Sequence, residues 1–165
     1  MKTLTSKIRT SELRIVSYNE DMLEEMMELF YNTVHVVCAK DYTPQQLSRW
    51  APANADVIAW KQRLNKNLCK VAVIRDVLVG FSELTEDGHV DCMYVHKEYQ
   101  RKNIASRLLE ELKQIAEERN YEILTTEASI TAKPFFEKQG FKVVQVKKKL
   151  YNGKEFTNYK MTKQL

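Results

Sequence analysis

The sequence contains few residues that interrupt regular structure. Only 4 glycines and 3 prolines occur among 165 residues, which argues against a flexible linker, a collagen-like repeat or a low-complexity tract. No apolar run approaches the roughly 20 residues that cross a bilayer. The N-terminal stretch MKTLTSKIRTSELR has no apolar segment typical of a signal peptide. We therefore expect a soluble, cytoplasmic protein with no membrane partner.

Cysteine and histidine are also scarce. Cys38, Cys69 and Cys92 are odd in number and lack the spacing of a disulfide framework or a metal site. Their surroundings in the sequence are apolar, which favours reduced thiols in a core. The three histidines are too scattered to suggest a metal site. No bound metal is expected.

The charge is balanced rather than one-sided. Lys and Arg number 26 against 22 Asp and Glu, a net charge of +4, and the two signs are mixed along most of the chain. A long nucleic acid would call for a denser basic stripe with interleaved aromatic residues. We therefore expect an anionic small ligand and no nucleic-acid partner. Lys147–Lys149 is a basic run that fits a solvated strand edge.

Length and periodicity predict a single domain over residues 1–165, with a core at about 13–161. The predicted strands are Leu13–Tyr18, Leu68–Arg75, Val77–Leu84, Val90–Val95, Glu122–Ala128, Phe141–Leu150 and Phe156–Met161. Five helices are predicted. The first begins near Asn19 or Asp21, and three shorter ones cover Gln45–Trp50, Val57–Leu64 and Thr131–Gln139. The fifth follows the fourth strand and carries Ile104, Leu108, Leu112 and Ile115 on one face. Tight turns are predicted at Arg75-Asp76 and Asn152-Gly153. This order predicts an α/β (α+β) fold with a mixed, mostly antiparallel sheet of about six or seven strands flanked by helices.

The stretch Val95–Leu109, VHKEYQRKNIASRLL, is the most informative segment. It has the pattern of a strand end, a short basic turn and an amphipathic helix. Such a turn directs backbone N–H groups and the positive end of a helix dipole at one anion, and Arg101 and Lys102 add full charges. The pattern indicates a phosphate or pyrophosphate, hence a nucleotide-bearing cofactor. An ordinary connection with solvated basic residues is the alternative.

Two motifs resemble those of the GCN5-related N-acetyltransferases. Gln100–Ala105, QRKNIA, resembles the family's cofactor motif Q/R-x-x-G-x-G/A, and Ala132–Phe141, AKPFFEKQGF, resembles its A-x-x-F-Y-E-K-x-G-F helix. The element order matches the family from about Leu13 to Met161. Tyr42–Gln46 and Ser129–Glu137 resemble the YafP-type branch. The resemblance implies the acyl-CoA N-acyltransferase fold and transfer of acetyl from acetyl coenzyme A to a primary amine of a small molecule or peptide, by direct attack.

The chain departs from the family pattern at two positions. Asn103 replaces the central glycine of the cofactor motif, and asparagine is the non-glycine residue best tolerated at positive φ. Phe136 stands where the family often has the tyrosine that protonates the departing coenzyme A sulfur. A thiol with a pKa of about 8.5 is already a reasonable leaving group, so water suffices.

The resemblance also assigns cofactor contacts. Acetyl coenzyme A is expected to lie along Val90–Val95 like an added strand, with an amide near Met93 polarising the thioester carbonyl. Lys138 is expected near the adenosine phosphates, unless it is only a solvated helix lysine. The complete set of expected cofactor residues is Met93, Tyr94, Val95, Gln100, Arg101, Lys102, Asn103, Ile104, Ala105, Ser106, Phe136 and Lys138.

The catalytic candidates are two acids and a hydroxyl. An amine acceptor is mostly ammonium at pH 7, so its attack requires a base. Asp91 and Glu83 are the candidates, and Asp91 is favoured because it interrupts an apolar strand. The alternative is that Asp91 is only hydrogen-bonded at the strand start. Ser129 either contacts substrate or a relay water, or caps the following helix.

A rival interpretation is a non-catalytic acyl-CoA-binding regulatory module, suggested by Phe136 and Asn103. The retained acids Asp91 and Glu83 favour the enzyme. The sequence does not identify the acceptor amine, and either a monomer or a homodimer is compatible with it.

Overall fold

A seven-stranded sheet forms the centre of the computed structural model, which describes residues 12–165. The expectation about the N-terminal stretch falls largely outside this range. The strands are β1 Leu13–Ser17, β2 Leu68–Ile74, β3 Val77–Leu84, β4 His89–Val95, β5 Ile123–Ala128, β6 Lys142–Tyr151 and β7 Lys154–Gln164. The helices are α1 Leu23–Val37, α2 Pro44–Trp50, α3 Val57–Lys66, α4 Ile104–Glu118 and α5 Lys133–Lys138.

The predicted element order is confirmed along the described chain. The strands lie in the order β1-β2-β3-β4-β5-β7-β6, and neighbours are antiparallel except for the parallel pair β4 and β5. The mixed, mostly antiparallel fold class is therefore confirmed. Short 3₁₀ turns on either side of α1, at Glu20–Met22 and Cys38–Lys40, were not indicated by the sequence.

Both predicted tight turns are present. Arg75 and Asp76 have φ of 47° and 64°, and Asn152 and Gly153 have φ of 47° and 78°. Two successive residues at positive φ match the right-handed twist of the flanking strands in a two-residue hairpin. The turn chemistry thus sets the β2–β3 and β6–β7 registers.

Helices cover the two faces of the sheet. Val71 and Val73 of β2 pack with α1 and α3, whereas Ala72 and Ile74, which alternate with them, pack against α4. Met26 of α1 is fully buried in the core, where its flexible side chain fills space between neighbours. Burial of apolar residues on both strand faces explains why β2 and β3 are rich in Val and Leu.

The parallel pair β4 and β5 separates almost as soon as it forms. The two strands share only two residue pairs, His89 with Thr125 and Val90 with Thr126. The Thr126 hydroxyl also donates to the Val90 carbonyl at 2.9 Å. From Asp91 onward, β4 has no strand beside it on this edge within the described residues. The sheet therefore opens into a wedge.

The basic run predicted from the sequence lies at one edge of the sheet. Lys147–Lys149 lies on β6, at the end of the sheet, which confirms the predicted strand edge. Across residues 12–165, no helix is both long and apolar enough to cross a bilayer.

Candidate active site

A cavity of about 1390 Å³ opens at the wedge between β4 and β5. The Gln100–Ser106 loop and α5 line one end of it, and residues of α1, α2 and α3 line the other. Asp91 lies on the strand between these two ends. One continuous cavity therefore joins the loop before α4 to the helices on the far side, with Asp91 in its lining.

The main chain of β4 presents hydrogen-bonding groups to the wedge. The His96 amide donates to Val79 of β3 at 2.8 Å, and main-chain groups alternate in direction along a strand. Those of Met93 and Val95 therefore point away from β3, into the opening. The Val95 carbonyl is already used, because it accepts from Gln100 Nε2 at 2.7 Å and from the Thr33 hydroxyl at 2.9 Å. The Val95 amide and both main-chain groups of Met93 remain available.

The Gln100–Ser106 loop forms an anion cradle at the start of α4. Asn103 adopts the left-handed conformation, with φ 61° and ψ 16°, and its side chain does not cap the helix. The first helical hydrogen bond comes from the Arg107 amide to the Asn103 carbonyl. The amides of Ile104, Ala105 and Ser106 are thus left without helical partners at the positive end of the α4 dipole.

Some side chains of this loop form hydrogen bonds within the protein, and others are exposed to solvent. Gln100 holds the loop to β4 through Val95, and the Ser106 hydroxyl accepts from Gln139 Nε2 at 3.1 Å, which ties α4 to the end of α5. Arg101 and Lys102 are exposed and line the cavity. Lys102 Nζ lies over the Tyr99 ring, 5.0 Å from its centroid, so both basic residues add positive charge to the cavity that the helix amides also line.

Asp91 is the extra residue of a β-bulge. Glu83 pairs with Cys92 and Leu84 with Val90, so Asp91 has no partner on β3. A bulge redirects the side chain that it carries, and Asp91 is exposed to the cavity. Within residues 12–165, it makes no hydrogen bond or ion pair. The alternative that Asp91 only forms a hydrogen bond at the start of the strand is therefore wrong.

Glu83 has a different environment from the one that a catalytic base needs. Its side chain is fully buried, and Arg63 Nε donates to its two oxygens at 3.1 and 3.2 Å. Asn67 Nδ2 donates to Oε2 at 3.0 Å. Glu83 is absent from the cavity lining. Glu83 therefore lies behind the cavity wall, with an oxygen within 4.8 Å of an Asp91 oxygen, and is held there by Arg63, which is remote in sequence. A catalytic role for Glu83 stays a prediction.

Cys92 corrects the expectation of purely apolar surroundings for the cysteines. Its Sγ, a Glu83 oxygen and an Asp91 oxygen lie within 4.8 Å of one another. Burial, and then the negative charge of Glu83, raises the pKa of the Cys92 thiol well above its usual value. Because Arg63 already neutralises Glu83 and the thiol stays protonated, this group fits an ion pair beside a neutral thiol.

Ser129 and Tyr42 close the cavity near the start of α5. The Ser129 hydroxyl accepts from the Ala132 amide at 3.1 Å, within the turn that precedes α5. The Tyr42 hydroxyl accepts from the Ile130 amide at 2.9 Å. Burial raises the pKa of the Tyr42 phenol, so it is protonated at neutral pH. Ser129 lines the cavity, whereas the N-cap position of α5 is Ala132 and has no side-chain cap, so the expectation that Ser129 caps this helix is wrong.

Phe136 and Lys138 lie on α5 at the cofactor end. Phe136 is buried and packs edge-on against Phe135 and Phe141, with centroids 5.1 and 5.2 Å away. Lys138 is exposed and lines the cavity. The position of Phe136 therefore offers the cavity an apolar ring and no proton.

Tyr42, Trp50 and Trp60 fall in the irregular stretch 39–66, for which the family resemblance implies a wall of the acceptor site and structural packing is the alternative, and all three line the cavity. Trp50 and Tyr94 pack there with Phe30 and Phe156. Tyr94 was expected beside the cofactor, but its main-chain groups face β3 and its ring joins this cluster. The signal available in the sequence was the clustering of Tyr42 and Trp50 between two helices.

A wedge between parallel strands, an anion cradle at a helix start and an unpaired carboxylate between them define an acyl transferase that uses a nucleotide-bearing donor. Residues 38–163 match the family described as acetyltransferase (GNAT) domain. The chain belongs to this family, the GCN5-related N-acetyltransferases, and is an acetyl-coenzyme-A-dependent acetyltransferase.

Relatives agree with this assignment. The chain is 36% identical over 151 residues to the uncharacterized N-acetyltransferase YafP of Escherichia coli K12, covering 92% of this chain and 95% of that protein. It is similar to a solved GCN5-related N-acetyltransferase of Rhodopseudomonas palustris, with a TM-score of 0.89 and 31% identity over 92% of this chain and 95% of that one. PaiA N-acetyltransferase of Thermoplasma acidophilum, solved with coenzyme A, shares the fold with a TM-score of 0.74 and 20% identity, over 93% and 99% of the two chains.

Proposed function

We propose that this chain, as a single domain in the cytoplasm, transfers acetyl from acetyl coenzyme A to a primary amine by direct attack. The wedge at Asp91 is the observation that carries the proposal. It places unpaired β4 main-chain groups, the free amides at the start of α4 and an unpaired carboxylate along one cavity. A small molecule or a peptide supplies the amine.

The chain's own groups fit an acyl-CoA donor. The amides of Ile104, Ala105 and Ser106 suit the pyrophosphate, and Arg101 and Lys102 add positive charge. Met93 and the Val95 amide suit the amide groups of pantetheine, as an added strand would. Coenzyme A bound to the PaiA relative in its crystal structure agrees with this use of the fold. When bound, acetyl coenzyme A supplies the acetyl group as an activated thioester.

Asp91 accepts the proton that the ammonium must lose before its nitrogen can attack. An amine of pKa near 10 is mostly protonated at pH 7, and Asp91 is the cavity carboxylate free to take that proton. Glu83 is committed to Arg63 and is not given this role. The Met93 amide, which points into the wedge, polarises the thioester carbonyl. Ser129, which also lines the cavity, orients the acceptor or a water molecule.

Thiol release with acetyl coenzyme A and a primary amine tests the proposal, comparing wild type with Asp91→Asn. We expect kcat to fall by about 100-fold, with the acidic limb of the pH–rate profile lost and the Kd for acetyl coenzyme A unchanged. Glu86→Gln, an exposed carboxylate outside the cavity, is the matched control and should leave the rate unaltered.

Two outcomes would contradict the proposal. Full activity of Asp91→Asn with the same acidic limb would make Asp91 structural. Binding of acetyl coenzyme A without thiol release for any amine would favour the regulatory module instead.

A further inference from the structure

The acceptor end of the cavity has an aromatic wall, formed by Phe30, Tyr42, Trp50, Tyr94 and Phe156. The rings are in contact: centroids are 4.9 Å apart for Phe30 and Tyr94, 5.2 Å for Tyr42 and Trp50, and 6.4 Å for Trp50 and Phe156. The wall combines α1, α2, β4 and β7, with Tyr42 on the approach to α2. It faces the wedge from the side opposite the anion cradle.

Hydrogen bonds hold the wall in place before any ligand binds. Thr43 and Gln46 form a capping box at the start of α2. Gln46 Nε2 donates to the Glu155 carbonyl of β7 at 2.9 Å, and Asn152 Nδ2 donates to the Arg49 carbonyl at 3.2 Å. Trp50 at the end of α2 is therefore fixed against β7, and a ligand meets a preorganised surface.

The polar atoms of the wall are largely turned to each other. Trp50 Nε1 donates to the Tyr94 hydroxyl at 3.2 Å, and the Tyr42 hydroxyl accepts from the Ile130 amide. Trp50 therefore offers a ligand its ring and no free donor. The Tyr42 and Tyr94 hydroxyls act as acceptors in these bonds and each keeps a single hydrogen to donate. The wall therefore offers a polyhydroxylated amine few replacements for its bonds to water, which disfavours sugars bearing amines.

The cavity has a free carboxylate for one cation, and Lys40 and Arg63, which also line it, disfavour a second. The cavity is lined by three carboxylates: Asp56, Asp91 and Glu127. Asp56 caps α3 by accepting from the Ala59 amide at 3.0 Å, and Glu127 pairs with Lys147 at 2.8 Å and Lys149 at 3.7 Å. Among these, Asp91 alone lacks a partner within the described chain. A polyamine would bring further ammonium groups for which the site holds no free carboxylate.

We infer that the acceptor is a primary amine with one positive charge and an aromatic or similarly flat apolar body. This inference rests on the proposed function and narrows it. The ammonium faces Asp91, and the apolar body lies on the aromatic wall, where ring packing adds to simple burial of apolar surface. The anion cradle does not contribute to this selection of the acceptor amine.

An amine panel tests the inference, with thiol release as the readout. We expect kcat/KM for phenethylamine to exceed kcat/KM for n-butylamine by about 10-fold. It should exceed kcat/KM for spermidine, an aminoglycoside or an alanyl tripeptide by a larger factor. Trp50→Leu should bring the ratio of phenethylamine to butylamine close to one, whereas Trp50→Phe should keep most of it. Tyr31→Leu, which removes an exposed aromatic ring outside the cavity, is the matched control.

A measurement on the wild type covers the case in which Trp50→Leu does not fold. Phenethyl alcohol, which has the ring but no amine, should inhibit competitively with the acceptor, and butanol at the same concentration should not. Equal or better use of butylamine, spermidine or the tripeptide would overturn the inference, and so would a ratio that survives Trp50→Leu. If no amine is acetylated although acetyl coenzyme A binds, the proposed function fails and the inference fails with it.

Discussion

Asp91 and Glu83 show how the same side-chain chemistry acquires different roles from its surroundings. Glu83 lies on β3, fully buried and bonded to Arg63 and Asn67, whereas the bulge exposes Asp91 to the cavity. A carboxylate whose lone pairs are occupied by a guanidinium is a poor proton acceptor, and a free one is a good one. The difference decides which of the two acids we assign to catalysis.

Glu83→Gln should destabilise the fold by about 3 kcal/mol, because it leaves a largely buried guanidinium without its counter-charge. We take the lower end of the range for buried pairs, since the Arg63 side chain is 33% exposed. The melting temperature should fall by roughly 6–12 °C. Glu20→Gln, which breaks the exposed pair with Lys61, is the control and should leave the melting temperature unchanged. Equal stability of the two variants would show that the Arg63–Glu83 pair contributes nothing.

The three thiols should resist alkylation by iodoacetamide at pH 8 while the protein is folded. Burial raises the pKa of the Cys38 thiol to about 11, and raises that of Cys69 and Cys92 as well. A raised pKa means less of the reactive thiolate at a given pH, so the folded chain reacts more slowly than the unfolded one. Mass spectrometry with and without guanidinium chloride checks this, and rapid labelling of the folded chain would refute it.

Asn103 determines whether the loop before α4 can keep its shape. With φ 61° at this position, Asn103→Gly should retain acetyl coenzyme A affinity, and Asn103→Val should raise the Kd about 10-fold, because a β-branched residue is strained there. Asn120 also has positive φ, at 58°, but lies at the other end of α4. Asn120→Val should therefore lower stability without changing the Kd. Titration calorimetry on the three variants separates the two effects, and equal Kd values for all three would refute it.

The elements themselves were largely predictable from local sequence. Apolar periodicity gave the seven strands and five main helices within a few residues, and paired positive-φ residues at Arg75-Asp76 and Asn152-Gly153 fixed the hairpins. Local patterns carry this information because they report which face each element buries.

The site was predictable only in part, because its remaining features depend on contacts between distant residues. The bulge at Asp91 arises from the β3–β4 register. The Arg63–Glu83 pair joins α3 to β3, and the Tyr42 contact with Ile130 spans 88 positions. The motif at Gln100–Ala105 located the anion cradle since its chemistry is contained in one loop. For the aromatic wall the local signal was partial, because Tyr42 and Trp50 cluster between two helices whereas Phe30, Tyr94 and Phe156 come from distant parts of the chain.

At the scale of the whole molecule, the wedge separates two halves with different tasks. The β4 main chain, the Gln100–Ser106 loop and α5 supply amides and basic side chains at one end. The helices α1 to α3, β7 and the Tyr94 ring of β4 supply aromatic rings at the other. The two ends meet at Asp91. A cofactor that fills the first end should therefore order one contiguous part of the chain and leave the rest unaffected.

Amide hydrogen exchange with and without acetyl coenzyme A tests this central claim most directly. The amides of Met93, Val95 and Ile104–Ser106 have no protein partner in the structure described above, and they should become protected when the cofactor binds. Amides of the outer β6 edge, which lie away from the cradle, should exchange at unchanged rates. Protection confined to β6, or none at Met93, Val95 and Ile104–Ser106 under saturating cofactor, would contradict the account.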